Sequence, residues 1–238
     1  KELIALSLLI RTQCSISCNI LCMDTLLSIL RHNVIFKDVF REVGILEVFV
    51  SCLHTFSALI KKKYGDCEDN GLILDNIEEQ EKFSYLVIEA LTILMNGNVG
   101  NASVFREADG PQCINTLVTF AETRQAGLGL SQQLILNGAA EDDMAALMEL
   151  LHTTSADQTS LRIDVLKTLY NCLKESHRCR TTFRKVGGFV YLMNILVSME
   201  KSVVNEPPDV WLAVSNDKLL TLLYSVFSTL TTAMRFEP

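Results

Sequence analysis

The chain has 238 residues, 49% of them hydrophobic, and 21% charged, with a formal net charge of -7. That apolar content suits a folded core and excludes a disordered chain, and the acidic balance excludes general phosphate-backbone attraction, so no nucleic-acid partner is expected. Four prolines and eleven glycines are few for a turn-rich β fold, which leaves an all-α class.

From the N-terminus, the first apolar run, Leu3 to Ile10, is stopped by Arg11 and is far shorter than the roughly 20 residues of a membrane span. Eight cysteines at irregular spacings suit reduced thiols and a cytoplasmic setting better than a disulfide framework. Cys14, Cys18 and Cys22 share a helical face, but without a His or Cys at metal-ligand spacing they read as small buried hydrophobes. The chain starts at Lys1 and ends at Pro238 just after a helical pattern, as a piece of a larger protein would.

A repeat then dominates the pattern. Phe40-Arg41-Glu42-Val43-Gly44, Phe105-Arg106-Glu107-Ala108-Asp109-Gly110 and Phe183-Arg184-Lys185-Val186-Gly187-Gly188 align without gaps. Upstream of each Phe, apolar columns recur at i, i+1, i+4, i+7 and i+8, the stripe of a helix packed on one side. The columns are Cys22, Met23, Leu26, Ile29 and Leu30, then Val87, Ile88, Leu91, Leu94 and Met95, then Val165, Leu166, Leu169, Cys172 and Leu173. Next come Asn33, Asn98 and Ser176, expected to cap a short elbow helix that carries the Phe and closes near the glycine in a left-handed conformation.

A third helix follows, with columns such as Phe49/Ile114/Leu192 and Phe56/Ala121/Met199. Its outward polar positions Ser51, Thr116 and Asn194 share one column and predict a lateral, solvent-facing ridge for a partner. A further, truncated copy starts at Leu219, Leu220, Leu223, Val226 and Phe227. The predicted units are 14–60, 83–122, a degenerate helical pair at 124–152, 160–200 and 211–238. Phe40 to Phe105 is 65 residues and Phe105 to Phe183 is 78, beyond the ~40 to 47 of one armadillo or HEAT repeat. The excess falls in the degenerate pair and in two insertions, 61–82, read as an acidic loop, and 201–217, with Pro207-Pro208 and Trp211.

Chemistry-bearing patterns are sparse. His32, His54, His152 and His177 fall in different units, and no Ser or Cys sits in a nucleophile motif, so no catalytic residue, cofactor, metal or small-molecule substrate is expected. Gly127-Leu128-Gly129 lacks a phosphate-loop continuation and reads as a helix end; Asp142-Asp143 reads as a helix start. Asn101-Ala102-Ser103 lies within a helical pattern and is discounted as a glycosylation site. His177, Arg178, Arg180, Arg184 and Lys185 form a basic run at a helix start, either a solvated face or an anion and acidic-lipid patch.

The repeated strings, among them Glu89-Ala90-Leu91-Thr92-Ile93-Leu94 with Phe105-Arg106-Glu107-Ala108, resemble armadillo repeats. The resemblance implies an armadillo/HEAT-like α-solenoid, a right-handed superhelix whose groove binds extended peptides. The family's groove asparagine would fall at Ser28, Ile93 and Asn171, and only Asn171 is Asn, so Asn171 with Lys167 and Lys174 is the first candidate partner surface.

Glu175-Ser176-His177-Arg178, Phe189-Val190-Tyr191, Met199-Glu200-Lys201-Ser202 and Leu230-Thr231-Thr232-Ala233-Met234-Arg235-Phe236-Glu237-Pro238 resemble a narrower group. It is the helical N-terminal region of BEACH-domain proteins of the WD-repeat and FYVE-domain branch, which includes Alfy and blue cheese. That resemblance implies a segment of a giant scaffold in selective autophagy and endolysosomal trafficking, including antigen-handling compartments. Its partners would be other proteins or adjacent segments of the same chain, with membrane contact indirect or weak.

Overall fold

The computed structural model describes residues 2–11, 15–65, 77–137, 141–155, 157–203 and 216–235. These residues form thirteen α-helices and no strand, in two compact units, Lys1–Gly138 and Ala139–Pro238.

In the first unit, α1 (Glu2–Arg11) precedes α2 (Ile16–His32), the elbow α3 (Phe36–Glu42) and α4 (Ile45–Tyr64). The second copy supplies α5 (Ile77–Met95), the elbow α6 (Val99–Glu107) and α7 (Gly110–Thr119), and α8 (Arg124–Asn137) closes the unit. Helix α5 packs against α2 and α8, α4 packs against α7, and the elbows α3 and α6 touch. The second unit holds α9 (Glu141–Thr153), α10 (Thr159–Glu175), the elbow α11 (His177–Lys185), α12 (Gly188–Val203) and α13 (Asn216–Ala233), with α10 packed along α13.

The apolar columns explain the packing. All five positions are buried in α5 and α10, and four of the five in α2, where Ile29 is half-buried. Each elbow Phe (Phe40, Phe105 and Phe183) is fully buried, a site where truncation to Ala costs ~3–5 kcal/mol. The capping column works in two copies: Asn98 Oδ1 accepts from the Asn101 amide at 3.0 Å and Ser176 Oγ from the Cys179 amide at 3.4 Å, whereas Asn33 Oδ1 accepts from the Ile35 amide at 2.9 Å in the turn before α3, whose N-cap is Ile35. Ala121 departs from its column because α7 stops at Thr119, leaving it exposed.

The turn after each elbow holds a correction. Gly44 and Gly187 adopt φ of +74°, but in the second copy the left-handed residue is Asp109, at φ +59°, while Gly110 is the first helical residue of α7. Gly110 answers a different need. A Cβ there would collide with the Phe105 ring, and one at Gly188 with the Phe183 ring.

Gly127 and Gly129 do not end a helix but lie inside α8; a Cβ on Gly127 would come within 2.9 Å of Leu117 Cβ and Val118 Cγ2, so this glycine lets α7 and α8 approach. The expected acidic loop is entered by helix from both sides, with Lys63 of α4 paired to Glu81 of α5. Cys14, the rest of that loop (66–76), Pro207-Pro208 and Trp211 lie outside the described residues. Helices α8 and α9 fall in the span where a helical pair is anticipated, 124–152, but belong to different units.

The arginine after each buried Phe reaches into the following copy. Arg106 Nη2 donates to Leu134 O at 3.0 Å near the end of α8, and Arg184 Nη2 to Ala233 O at 2.9 Å at the end of α13. Arg41 Nη1 donates to Asn101 Oδ1 at 3.0 Å, and Asn101 Nδ2 in turn donates to Leu94 O at 2.8 Å near the end of α5. The last carbonyls of a helix have no intrahelical donor, and a guanidinium suits both their lone pairs and the negative end of the helix dipole.

The Arg184 bond also resets the register of the fourth copy. Helix α13 runs past Phe227 to Ala233, so Val226, Phe227, Leu230, Ala233 and Met234 occupy the five columns, seven residues later than the hydropathy pattern alone suggests.

Gly110→Ala and Gly188→Ala are each expected to lower stability by ~1–3 kcal/mol through overpacking. Gly129→Ala, with open space around its Cβ, is expected to raise it by up to ~1 kcal/mol. Urea unfolding of the three variants checks the contrast, and a similar loss at all three would contradict it. By the same measurement, Arg184→Met is expected to cost ~1.5–3 kcal/mol through a lost charged hydrogen bond. Arg31→Met, which breaks an exposed pair with Glu89, should cost less than ~1 kcal/mol; equal losses would show that the elbow bond carries nothing special.

Candidate functional site

Helices α10 and α13 lie side by side in the second unit because each presents a buried apolar stripe to the other, and their outer edges leave a groove of about 510 Å³. Lys167, Tyr170 and Asn171 line it from α10, and Thr221, Tyr224, Ser225 and Ser228 from α13, with Leu166 at its floor. The Thr221 and Ser225 hydroxyls donate back to Asp217 O and Thr221 O, both at 2.8 Å, which leaves their lone pairs toward the groove's occupant. Asn171 and Lys167 are exposed, and Tyr224 is 75% exposed. Lys174, one helical turn beyond Asn171, places its Nζ 6.0 Å from the Tyr170 ring centroid, a cation–π contact. The residues singled out from the armadillo pattern, Asn171 and Lys167, therefore sit in a groove, with Lys174 beside it.

The lateral ridge does not form as a polar column. Ser51 and Asn194 are exposed, but Thr116 is buried at the middle of short α7, where its hydroxyl donates to Gln112 O at 3.4 Å. The expectation failed at Thr116 because α7 has ten residues against the twenty of α4, so neighbouring helices cover the column differently.

The basic run is also dispersed. Arg180 is buried, with Nη1 donating to Leu173 O at 2.6 Å, an end-of-helix carbonyl of α10. Arg184 is committed to Ala233 O and Lys185 pairs with Glu141 at 3.1 Å, which leaves His177 and Arg178 as the exposed basic residues at that helix start. A chain segment with five basic residues in nine looked like a patch; helical geometry turns three of them toward carbonyls and a carboxylate.

One pairing was not anticipated. Cys113 Sγ lies 3.2 Å from His54 Nδ1, and His54 Nε2 lies 3.1 Å from Ala108 O, so the ring donates from Nε2 and accepts the thiol proton at Nδ1. The two residues are 59 apart in sequence, and only the stacking of α4 on α7 brings them together. Burial pushes the Cys113 thiol up, as it does Cys179 and Cys172, and raises Cys52 to about 11. Such thiols stay protonated at neutral pH and are poor nucleophiles. No group of three or more metal-ligating side chains occurs among the described residues. Asn101 of the glycosylation-type triplet is fully buried and bonded to Leu94 O and Lys37 O.

Among the described residues, no single helix is long and apolar enough to cross a membrane.

Residues 139–238, the second compact unit, match the family model for armadillo-like repeats. Across 222 residues, 93% of the chain, it is 25% identical to human WD repeat- and FYVE domain-containing protein 4, and across 233 residues, 97% of the chain, 26% identical to the mouse protein. The chain spans about 7% of the length of each. A crystal structure of an engineered protein from the Northeast Structural Genomics Consortium superposes with a TM-score of 0.52 at 14% identity, covering 98% of this chain and 96% of that one, which speaks to fold alone. The described residues thus have an all-α, armadillo-like fold, residues 139–238 match the armadillo-like family model, and the chain is similar, over nearly its whole length, to part of the WD repeat- and FYVE domain-containing proteins.

Proposed function

We propose that this chain is a non-catalytic scaffold segment whose second unit holds partner proteins in the groove between α10 and α13. The observation that carries this reading is the groove itself: the amide of Asn171 and the exposed Tyr224 line one concave strip, flanked by Lys167 and Lys174. An amide side chain satisfies both the N–H and the C=O of an extended peptide, tyrosines supply large contact area at low entropic cost, and the two lysines favour acidic residues. Hence the partner is an extended, acidic peptide segment of another protein or of the same polypeptide. Buried, protonated thiols and dispersed histidines support the non-catalytic part of the reading.

By its likeness to the WD repeat- and FYVE domain-containing proteins, the chain works within a giant cytoplasmic BEACH-family scaffold in selective autophagy and endolysosomal trafficking, including antigen-handling compartments. Membrane recruitment falls to other parts of such a protein, since Arg180, Arg184 and Lys185 of the basic run are engaged in internal bonds.

Peptides selected by phage display against the immobilised chain are expected to be acidic and to lose at least tenfold in affinity, about 1.4 kcal/mol, to the Asn171→Ala, Tyr224→Ala double variant. Its thermal midpoint should match the parent's. Phosphoinositide vesicles at low salt should not retain the parent chain. Selected peptides that bind the double variant as tightly as the parent, or retention by vesicles that is lost on His177→Ala with Arg178→Ala, would replace the groove reading.

A further inference from the structure

The last helix of the second unit exposes apolar columns that the earlier copies bury, and the helix before it exposes apolar residues beside them. In the register fixed by Arg184 and Ala233, Phe227 corresponds to Met23, Ile88 and Leu166, and Met234 to Leu30, Met95 and Leu173. Phe227 is 53% and Met234 54% exposed, whereas none of the six earlier residues exceeds 5%. Those six lie on α2, α5 and α10, each of which packs against the first helix of the next copy; among the described residues α13 packs against α10, α11 and α12.

Helix α12 also exposes apolar residues. Its residues Val190, Met193 and Val197 are 63%, 50% and 62% exposed. In α4 the matching positions are Glu47, which is exposed, Val50, which is buried, and His54, which is half-buried and meets Ala108 O and Cys113. In α7 the same three positions are exposed and polar: Gln112, Asn115 and Thr119. Exposed positions that carry a carboxylate or polar side chains in α4 and α7 thus carry apolar ones in α12.

We propose that this face of α12 and α13 is a stacking surface for a further armadillo-like repeat of the same polypeptide, an elbow helix with the two longer helices that follow it. Three features favour that occupant over a second copy: the face continues the column geometry by which the copies stack, Phe227 and Met234 sit at a seven-residue spacing on one helical stripe, and the relatives are far longer than this chain. The proposal rests on repeat stacking and not on the peptide groove, so either can fail alone.

The first unit supplies a probe. Residues 98–137 form one complete elbow–third–first set that already stacks on α4 and α5. They are fused after Phe236, in place of Glu237 and Pro238, which matches Ala233 to Leu94. Phe227→Cys and Val197→Cys variants of the fused and unfused chains are labelled with a maleimide and read site by site by mass spectrometry, with sedimentation velocity in parallel. Labelling at both sites is expected to slow at least tenfold in the fused chain. Phe227→Lys should leave the thermal midpoint of the unfused chain unchanged and lower that of the fused chain. Equal labelling rates in both chains would overturn the proposal. So would an unfused chain that sediments as a dimer and is made monomeric by Phe227→Lys, because a second copy would then be the occupant.

Discussion

Every copy depends on closing the end of a helix whose carbonyls have spent their own donors. The elbow meets that need from a fixed place: a phenylalanine is buried, and the next residue, an arginine, is thereby aimed at the first-helix terminus of the following copy. The buried ring fixes the direction of the elbow, and the guanidinium converts that direction into a bond between copies. Charge, position and burial are thus coupled in two adjacent residues, which is why the Phe-Arg pair recurs while the apolar columns interchange Cys, Val, Leu, Ile and Met.

The junction around Arg41 solves the same problem with more parts. Arg41 Nη1 contacts Asp38 at 2.9 Å, and Asn98 Nδ2 donates to Asp38 Oδ1 at 2.9 Å, so the guanidinium is shared with a carboxylate and reaches the helix end through Asn101. Asn98 foremost, with Arg41, holds the Asp38 carboxyl below its ordinary range. A folded-state value below the unfolded one means that this contribution is complete above the unfolded value and is lost as pH falls through the folded one. The other two junctions bond arginine directly to a carbonyl.

Much of the fold was legible because it is periodic. Helical stripes, caps and elbow phenylalanines follow from local chemistry repeated at one spacing, and Asn171 was placed by the same alignment. Legibility stopped where a residue's role depends on what another helix does. Gly127 reads as a breaker until α7 is seen beside it, and Thr116 reads as a surface position until the short span of α7 is known. Arg180 reads as one basic residue among five until its reach to Leu173 O is known. The last copy slipped because Leu219, Leu220 and Leu223 imitate the stripe one heptad early; the length of α13 and the Arg184–Ala233 bond resolve it. The His54–Cys113 contact left no local signal at all.

The six described cysteines are thiols outside any disulfide, and Cys22, Cys113, Cys172 and Cys179 are buried. Shut away from water, these four resist oxidants and alkylating reagents for as long as their helices stay packed. They also divide between the units, Cys22 and Cys113 in the first and Cys172 and Cys179 in the second. Thiol exchange therefore becomes a built-in clock for local opening, since each residue reacts only when its own helix leaves the stack. Oxidative damage, by the same logic, marks molecules that have already begun to unfold, and would trap them there.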